Sequence, residues 1–314
     1  MLAPNLIEKL ADELGTKPGL IEKDWYVVRA LSVLASLSSA DAKPVFSGGT
    51  SLSKGWGLIK RFSEDIDFKV AMVQATSGTA NRNKRRAFRE KVLATLAASE
   101  FDLVGQPLVG NQSQFFTADL GYQSHFDIGK GLRPHLRIEM SFYSPALMPI
   151  NRPIRSLIAR ALNEPPEVSS FPCIDPIETA ADKLSALAWR VCTRRRGAED
   201  DDPTIIRHLH DLAALENHSA GAPEFASLVR QIAEKDAGRG GGAAPLDPAE
   251  RFAAMLDTLD HDKEWAAEYD TFVLEVSFAG PDERISFSEA FAATRRLVAA
   301  VYKRQARVSD DKTV

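Results

Sequence analysis

The sequence predicts an α/β (α+β) chain with a mixed sheet and its helices in the N-terminal half and a helical domain after it. Three observations predict this. Between residues 43 and 70 a short apolar strand segment, a glycine turn, a helix and a second strand follow one another. Three further segments up to Tyr143 carry the aromatic and β-branched residues that suit a pleated sheet. From Pro176 onward the hydrophobic spacing is helical almost throughout, beyond prolines at 165, 166, 172 and 176. The division is expected between residues 150 and 170, giving domains 1–160 and 161–314.

Each element has its own signal. Residues 5–14 and 20–37 read as helices, the second with Ile21, Trp25, Val28 and Leu31 at spacings of three and four. Residues 43–47 read as a strand, 51–59 as a helix weakened by Gly55 and Gly57, and 65–70 as a second strand. A polar loop at 74–79 leads into a basic helix at 81–98. Strands are expected at 101–104, 114–121 and 135–143, separated by glycine-containing stretches at 105–111 and 129–131. Helices follow at 177–194 and 204–216, a third ends before a flexible Gly238 to Gly242 connection, and two more span 248–259 and 286–304. The tail 308–314 is expected to fray.

Composition sets the class. The 314 residues, 44% hydrophobic, are enough for a packed core and suggest two domains or one large one. A formal charge of −4 argues against indiscriminate binding to nucleic acid, while a local basic surface remains open. The N-terminus lacks a basic region followed by an apolar run, and no stretch approaches the ~20 apolar residues of a membrane span. The expectation is a cytoplasmic protein with no membrane partner. Cys173 and Cys192 lack Cys-x-x-Cys spacing and read as inert thiols.

The chemistry lies between Val45 and Val70. After Val45-Phe46 the chain turns on Gly48-Gly49-Thr50-Ser51 into a helix expected to be capped by Thr50 or Ser51. Unpaired N–H groups and the positive end of the macrodipole suit a phosphate there, and glycine lets an anionic oxygen approach the main chain. Lys54, one turn further on, either contacts phosphate or is solvated. In Asp65-Ile66-Asp67-Phe68 the strand period places both carboxylates on one face and the apolar residues on the other. A half-exposed strand would also show that alternation. However, aspartate is depleted in strands, and neighbouring carboxylates repel unless a cation joins them. The combination fits nucleotidyl transfer, with Mg²⁺ (or Mn²⁺) held by Asp65 and Asp67 against an NTP.

A third carboxylate near the attacking group is expected from His135-Leu136-Arg137-Ile138-Glu139-Met140, where Glu139 would join the metal set if the strands are adjacent. Its alternatives are solvent or a pair with Arg137. His208 and His210 stand two apart on a helix, point in different directions and read as polar surface. Arg194-Arg195-Arg196 beside Glu199-Asp200-Asp201-Asp202 reads as a self-compensating loop or an RNA guide. The positive charges at Arg82, Lys84, Arg85, Arg86 and Arg89 read as a solvated face or, beside the site, as contacts for a polyanionic acceptor. The P-loop and dinucleotide fingerprints are incomplete.

The run from Phe46 to Phe68, with Gly-Gly-Thr-x-Leu-Ser-Lys and then Arg-Phe-Ser-Glu-Asp-Ile-Asp, resembles the signature of the AbiEii/AbiGii toxin family, nucleotidyltransferase-fold proteins related to the MenT toxins. Ile21-Glu22-Lys23-Asp24-Trp25 resembles the family's motif on the preceding helix. Asp182-Lys183-Leu184-Ser185-Ala186-Leu187 and Arg207-His208-Leu209-His210-Asp211-Leu212 resemble its two downstream helical motifs. The family often has glutamate where Asp182 stands, and residues 70–135 carry no motif. The resemblance implies that Lys183 reaches the triphosphate and that Asp211 lies at the site, within a helical domain that closes over the nucleotide. Taken alone, Lys183 either snorkels to the surface or meets an anion, and Asp211 could be a surface carboxylate. The resemblance also implies a toxin-type enzyme moving an NMP from an NTP to an acceptor, the tRNA 3′ end being the leading one, with pyrophosphate released and a cognate antitoxin encoded beside it. Protein nucleotidylation, small-molecule (antibiotic) nucleotidylation and a catalytically silent binding module are the alternatives.

Overall fold

A computed structural model of the chain describes residues 3–37, 39–128, 133–199, 201–238 and 244–309. Two compact units, Met1–Ile174 and Asp175–Val314, divide it. The first unit runs past the boundary expected at 160, because a last strand at Val168–Cys173 joins the sheet.

Unit one begins with α1 (Pro4–Leu14) and α2 (Pro18–Ala35), each with proline in its first turn, where the missing N–H costs nothing. Next come β1 (Ala42–Ser47), a short helical turn α3 (Gly48–Ser51) and a π-helical segment over Leu52–Trp56. The helix expected at 51–59 thus starts three residues earlier and stops at Gly57, whose φ of 67° ends it. The cap position falls to Ser47 instead of Thr50 or Ser51. Strand β2 (Asp65–Met72) and helix α4 (Gly78–Ala97) follow, then β3 (Asp102–Gly110), β4 (Phe115–Gly121) and β5 (Leu136–Ser141). β3 runs through the stretch expected as a loop, with its register shifting between Val104 and Leu108. The unit closes with β6 (Ile150–Ile154), α5 (Leu157–Ala161) and β7 (Val168–Cys173).

Among the described residues these strands form one seven-stranded sheet, ordered β3-β4-β5-β2-β1-β7-β6. β2 pairs antiparallel with β1 and parallel with β5, and β1 pairs parallel with β7. Alternation gives the sheet two different faces. Phe46, Ile66, Phe68, Val70, Phe116, Leu120, Leu136, Ile138 and Met140 form one core with Tyr26, Leu31 and Leu34 of α2 and Phe88, Val92 and Leu96 of α4. Asp65, Asp67, Thr117, Arg137 and Glu139 belong to the opposite face.

Unit two is helical: α6 (Pro176–Thr193), α7 (Arg207–Ser219), α8 (Phe225–Ala237), α9 (Pro248–His261), α10 (Glu264–Val276) and α11 (Phe287–Ser309). α6 packs on α7, α8 and α9, and α11 packs on α7 and α8. The expected glycine connections at 129–131 and at 239–242, Asp200 of the acidic run, and 310–314 of the tail lie outside the described residues. No described helix is long and apolar enough to cross a membrane.

Candidate active site

The parallel pairing of β2 with β5 sets Asp67 opposite Glu139 and Asp65 opposite Arg137, while β1 sets Ser47 opposite Asp67. Paired residues share a face, so Ser47, Asp67, Glu139 and Thr117 form one row across four strands. Glu139 is thus brought beside the aspartate pair. Its Arg137 neighbour is engaged elsewhere, donating from Nε and Nη2 to Asp119 at 2.7 and 2.9 Å and holding that carboxyl below its usual pKa.

Glycine is required where β1 turns into α3. Gly48 has φ of 72°, and a Cβ there would overlap the Asp67 carboxylate. At Gly49 a Cβ would lie 2.6 Å from Arg61 Nη2. The turn therefore rests against one acidic side chain and one buried guanidinium, and Arg61 donates to the Phe62 carbonyl at 2.9 Å. Thr50 Oγ1 donates to the Asp65 carbonyl, tying the turn to β2. Thr50 and Ser51 are buried, with Ser51 beside the Cys173 thiol, whose pKa burial pushes up to about 11. These two residues offer a phosphate their backbone N–H groups more than their hydroxyls.

Three consecutive buried charges on α2 brace the site. Glu22 accepts from Ser124 Oγ and from the backbone N–H groups of His125 and Phe126. Lys23 donates to Glu64 Oε2 at 2.7 Å and to the Arg133 carbonyl at 2.6 Å. Asp24 accepts from Leu157 N at 2.7 Å and from Lys54 Nζ. The Lys54 ammonium is thus taken by Asp24 in the interior, where burial pushes its pKa well below the usual value, and it holds the turn against α2. Asp65 in turn accepts from Arg133 Nη1 at 2.6 Å.

Asp65, Asp67 and Glu139 are hard oxygen donors of the type Mg²⁺ takes, and two of them leave one strand on one face. Among the described residues no three His, Cys, Asp or Glu side chains converge as a finished metal cage. The donor chemistry therefore fits a cation held by the aspartates and completed by substrate oxygens. It does not fit a preformed protein cage.

The basic helix α4 covers the sheet face opposite the carboxylates, so the expectation that it lies beside the site is corrected. Phe88, Val92 and Leu96 decide this, since their burial fixes which way α4 turns. Several of its charges also have local partners: Lys84 with Asp41 at 2.7 Å, Arg86 with Glu90 at 2.7 Å and Arg85 with the Gln112 carbonyl at 3.3 Å.

In unit two, Lys183 of α6 and Asp211 of α7 meet, Nζ to Oδ2 at 2.7 Å, with Lys183 7% and Asp211 0% exposed. His208 and His210, expected as polar surface, are buried. Burial, with the cations Lys183, Arg207 and Arg190, pushes the His208 pKa well down. Arg194 and Arg196 stack on Trp265; Asp201 of the neighbouring acidic run binds Arg194, but Asp262 and Glu268 further along the chain take the rest, so the run is compensated largely from outside itself. Sequence reasoning passed over Arg61 and Arg133. Arg61 lies inside the Arg-Phe-Ser-Glu-Asp-Ile-Asp run and could have been found there, whereas Arg133 belongs to a stretch of sequence that carries no motif.

A family model described as "Nucleotidyl transferase AbiEii toxin, Type IV TA system" matches residues 29–293. Among solved structures, MenT4, a nucleotidyltransferase toxin from Mycobacterium tuberculosis H37Rv, is 18% identical, with 99% of this chain and 98% of that chain covered at a TM-score of 0.53. That similarity is one of fold. No curated protein matches the sequence.

Proposed function

The chain belongs to the AbiEii family of nucleotidyltransferase toxins of type IV toxin–antitoxin systems, and from that premise we propose that it transfers a nucleoside monophosphate from an NTP to the 3′ hydroxyl of a tRNA. The observation that carries the reading is the register placing Asp67 between Ser47 and Glu139, with Asp65 on the same face and the Gly48 turn against Asp67.

Asp65 and Asp67 would hold Mg²⁺ or Mn²⁺, which when bound supplies charge stabilisation at the phosphates. The backbone N–H groups of Gly49, Thr50 and Ser51 hold phosphate oxygens, and the glycines leave room for them. Glu139 accepts the proton of the attacking hydroxyl as the new O–P bond forms at the α-phosphorus and the bond to the β-phosphate breaks, releasing pyrophosphate. Lys183, oriented by Asp211, offsets the charge that grows on the leaving group. A cognate antitoxin restrains the activity in the cell.

The test supplies each α-labelled NTP with Mg²⁺ to total tRNA, to tRNA whose 3′ ribose has been oxidised, to cell protein and to no acceptor. Label on intact tRNA alone is expected. Label on oxidised tRNA or on protein would replace the acceptor assignment and leave the nucleotide half standing, and no transfer by any route would favour a silent binding module.

A further inference from the structure

Arg133 lies outside any helix or strand, yet side chains take both of its backbone polar atoms. Its N–H donates to Glu64 Oε2 at 2.9 Å, and its carbonyl accepts from Lys23 Nζ at 2.6 Å. Lys23 also binds Glu64 at 2.7 Å, so the three close a ring. Fixing a backbone at both polar atoms fixes where its side chain starts. The guanidinium then gives Nη1 to Asp65 Oδ1 at 2.6 Å, its one hydrogen bond among the described residues, with 37% of the side chain exposed. Nε and Nη2 keep donors for a ligand.

From this we infer that Arg133 is a positioning residue: it neutralises Asp65 until a triphosphate draws its guanidinium away, so that the divalent cation enters with the nucleotide and not before it. The inference rests on the reading of Asp65 as a metal carboxylate. A guanidinium and a divalent cation compete for the same carboxylate oxygen. A phosphate resolves that competition, because it offers the guanidinium fork two acceptors where Asp65 engages one donor. Lys23 and Glu64 keep Arg133 within reach of both partners.

The experiment measures Mn²⁺ alone by EPR titration, and inorganic tripolyphosphate in EDTA by calorimetry, on the full chain. Arg133→Gln should bind Mn²⁺ about tenfold more tightly, the size of one lost charge-assisted competitor, and tripolyphosphate about tenfold more weakly. Arg133→Lys should keep Mn²⁺ binding weak. Lys23→Gln, which loosens the backbone clamp, should move both affinities in the Arg133→Gln direction by a smaller factor. An unchanged affinity in either titration of Arg133→Gln overturns the inference. Asp65→Asn separates the levels: if it loses Mn²⁺ while Arg133→Gln behaves as wild type, only this inference falls. If Asp65→Asn binds Mn²⁺ like wild type, the metal reading beneath it falls.

Discussion

Lys183 and Asp211, on successive long helices of unit two, form an ion pair of 2.7 Å with both side chains removed from water. Breaking such a pair by removing one member costs about 3–5 kcal/mol, because the other charge stays buried alone. Lys183→Ala alone would therefore mix a folding defect with any catalytic one. The expected result is that Lys183→Met lowers the urea midpoint, that Lys183→Met with Asp211→Leu restores most of it, and that both lack transfer activity. Activity in the stabilised double variant would make the pair purely structural.

Gly48→Ala should be inactive and less stable. It places a side chain at φ of 72° and drives its Cβ into the Asp67 carboxylate, so either the turn or Asp67 must move. A loss of about 1–3 kcal/mol is expected from thermal unfolding, with transfer reduced at least ~10²-fold. Gly57→Ala is the control, since its left-handed backbone is strained but the space around it is open.

Asp24→Ala leaves Lys54 buried without its partner and Leu157 N without its acceptor. We expect a destabilisation of about 3–5 kcal/mol, read from urea unfolding. Asp24→Ala with Lys54→Met should recover stability, and recovered nucleotide binding in that double variant would show that Lys54 is an anchor and not a phosphate ligand.

His208 should make unit two acid-sensitive. Burial and the nearby cations depress its folded pKa well below 6.5, so it stays neutral in the native state while the unfolded chain takes up a proton below about that pH. The unfolded state then binds more protons, and stability falls as pH drops through 6.5 toward the depressed folded value. Chemical denaturation between pH 7.5 and 5 should show a slope up to one proton steeper in wild type than in His208→Leu. Identical slopes would place the acid sensitivity elsewhere.

The centre of the sheet was legible because its strands alternate cleanly. Asp65-Ile66-Asp67-Phe68 and Arg137-Ile138-Glu139-Met140 each give a buried face and a polar face from that period, whereas their adjacency is set by the sheet and stood in the sequence only as a condition. β6 and β7 were not legible. Pro153 and Pro172 sit inside them, and Pro172 reads as part of the transition to the helical half, although proline is tolerated in strands at and near a sheet edge. The turn start was displaced because Ser47 ends β1 and also precedes the first helical residue, so the later Thr50 and Ser51 looked like better caps. Lys54, Arg133 and the α2 charges find their partners across long sequence separations, which local pattern does not encode. The side of the sheet taken by α4 was likewise set by three apolar residues and not by its many charges.

The strand order also has a consequence in time. β1 and β2 pair with each other, but each reaches its other neighbour only when β5 and then β7 have been made, so the middle of the sheet is finished late and by distant segments. At about 5–20 residues per second, a ribosome needs on the order of ten seconds between Ser47 and Cys173. For most of that interval the glycine turn and the two aspartates lack Glu139 and the flanking strands that complete their row. The carboxylate row of a growing chain is therefore completed only as the last strands of the unit emerge, a delay written into topology.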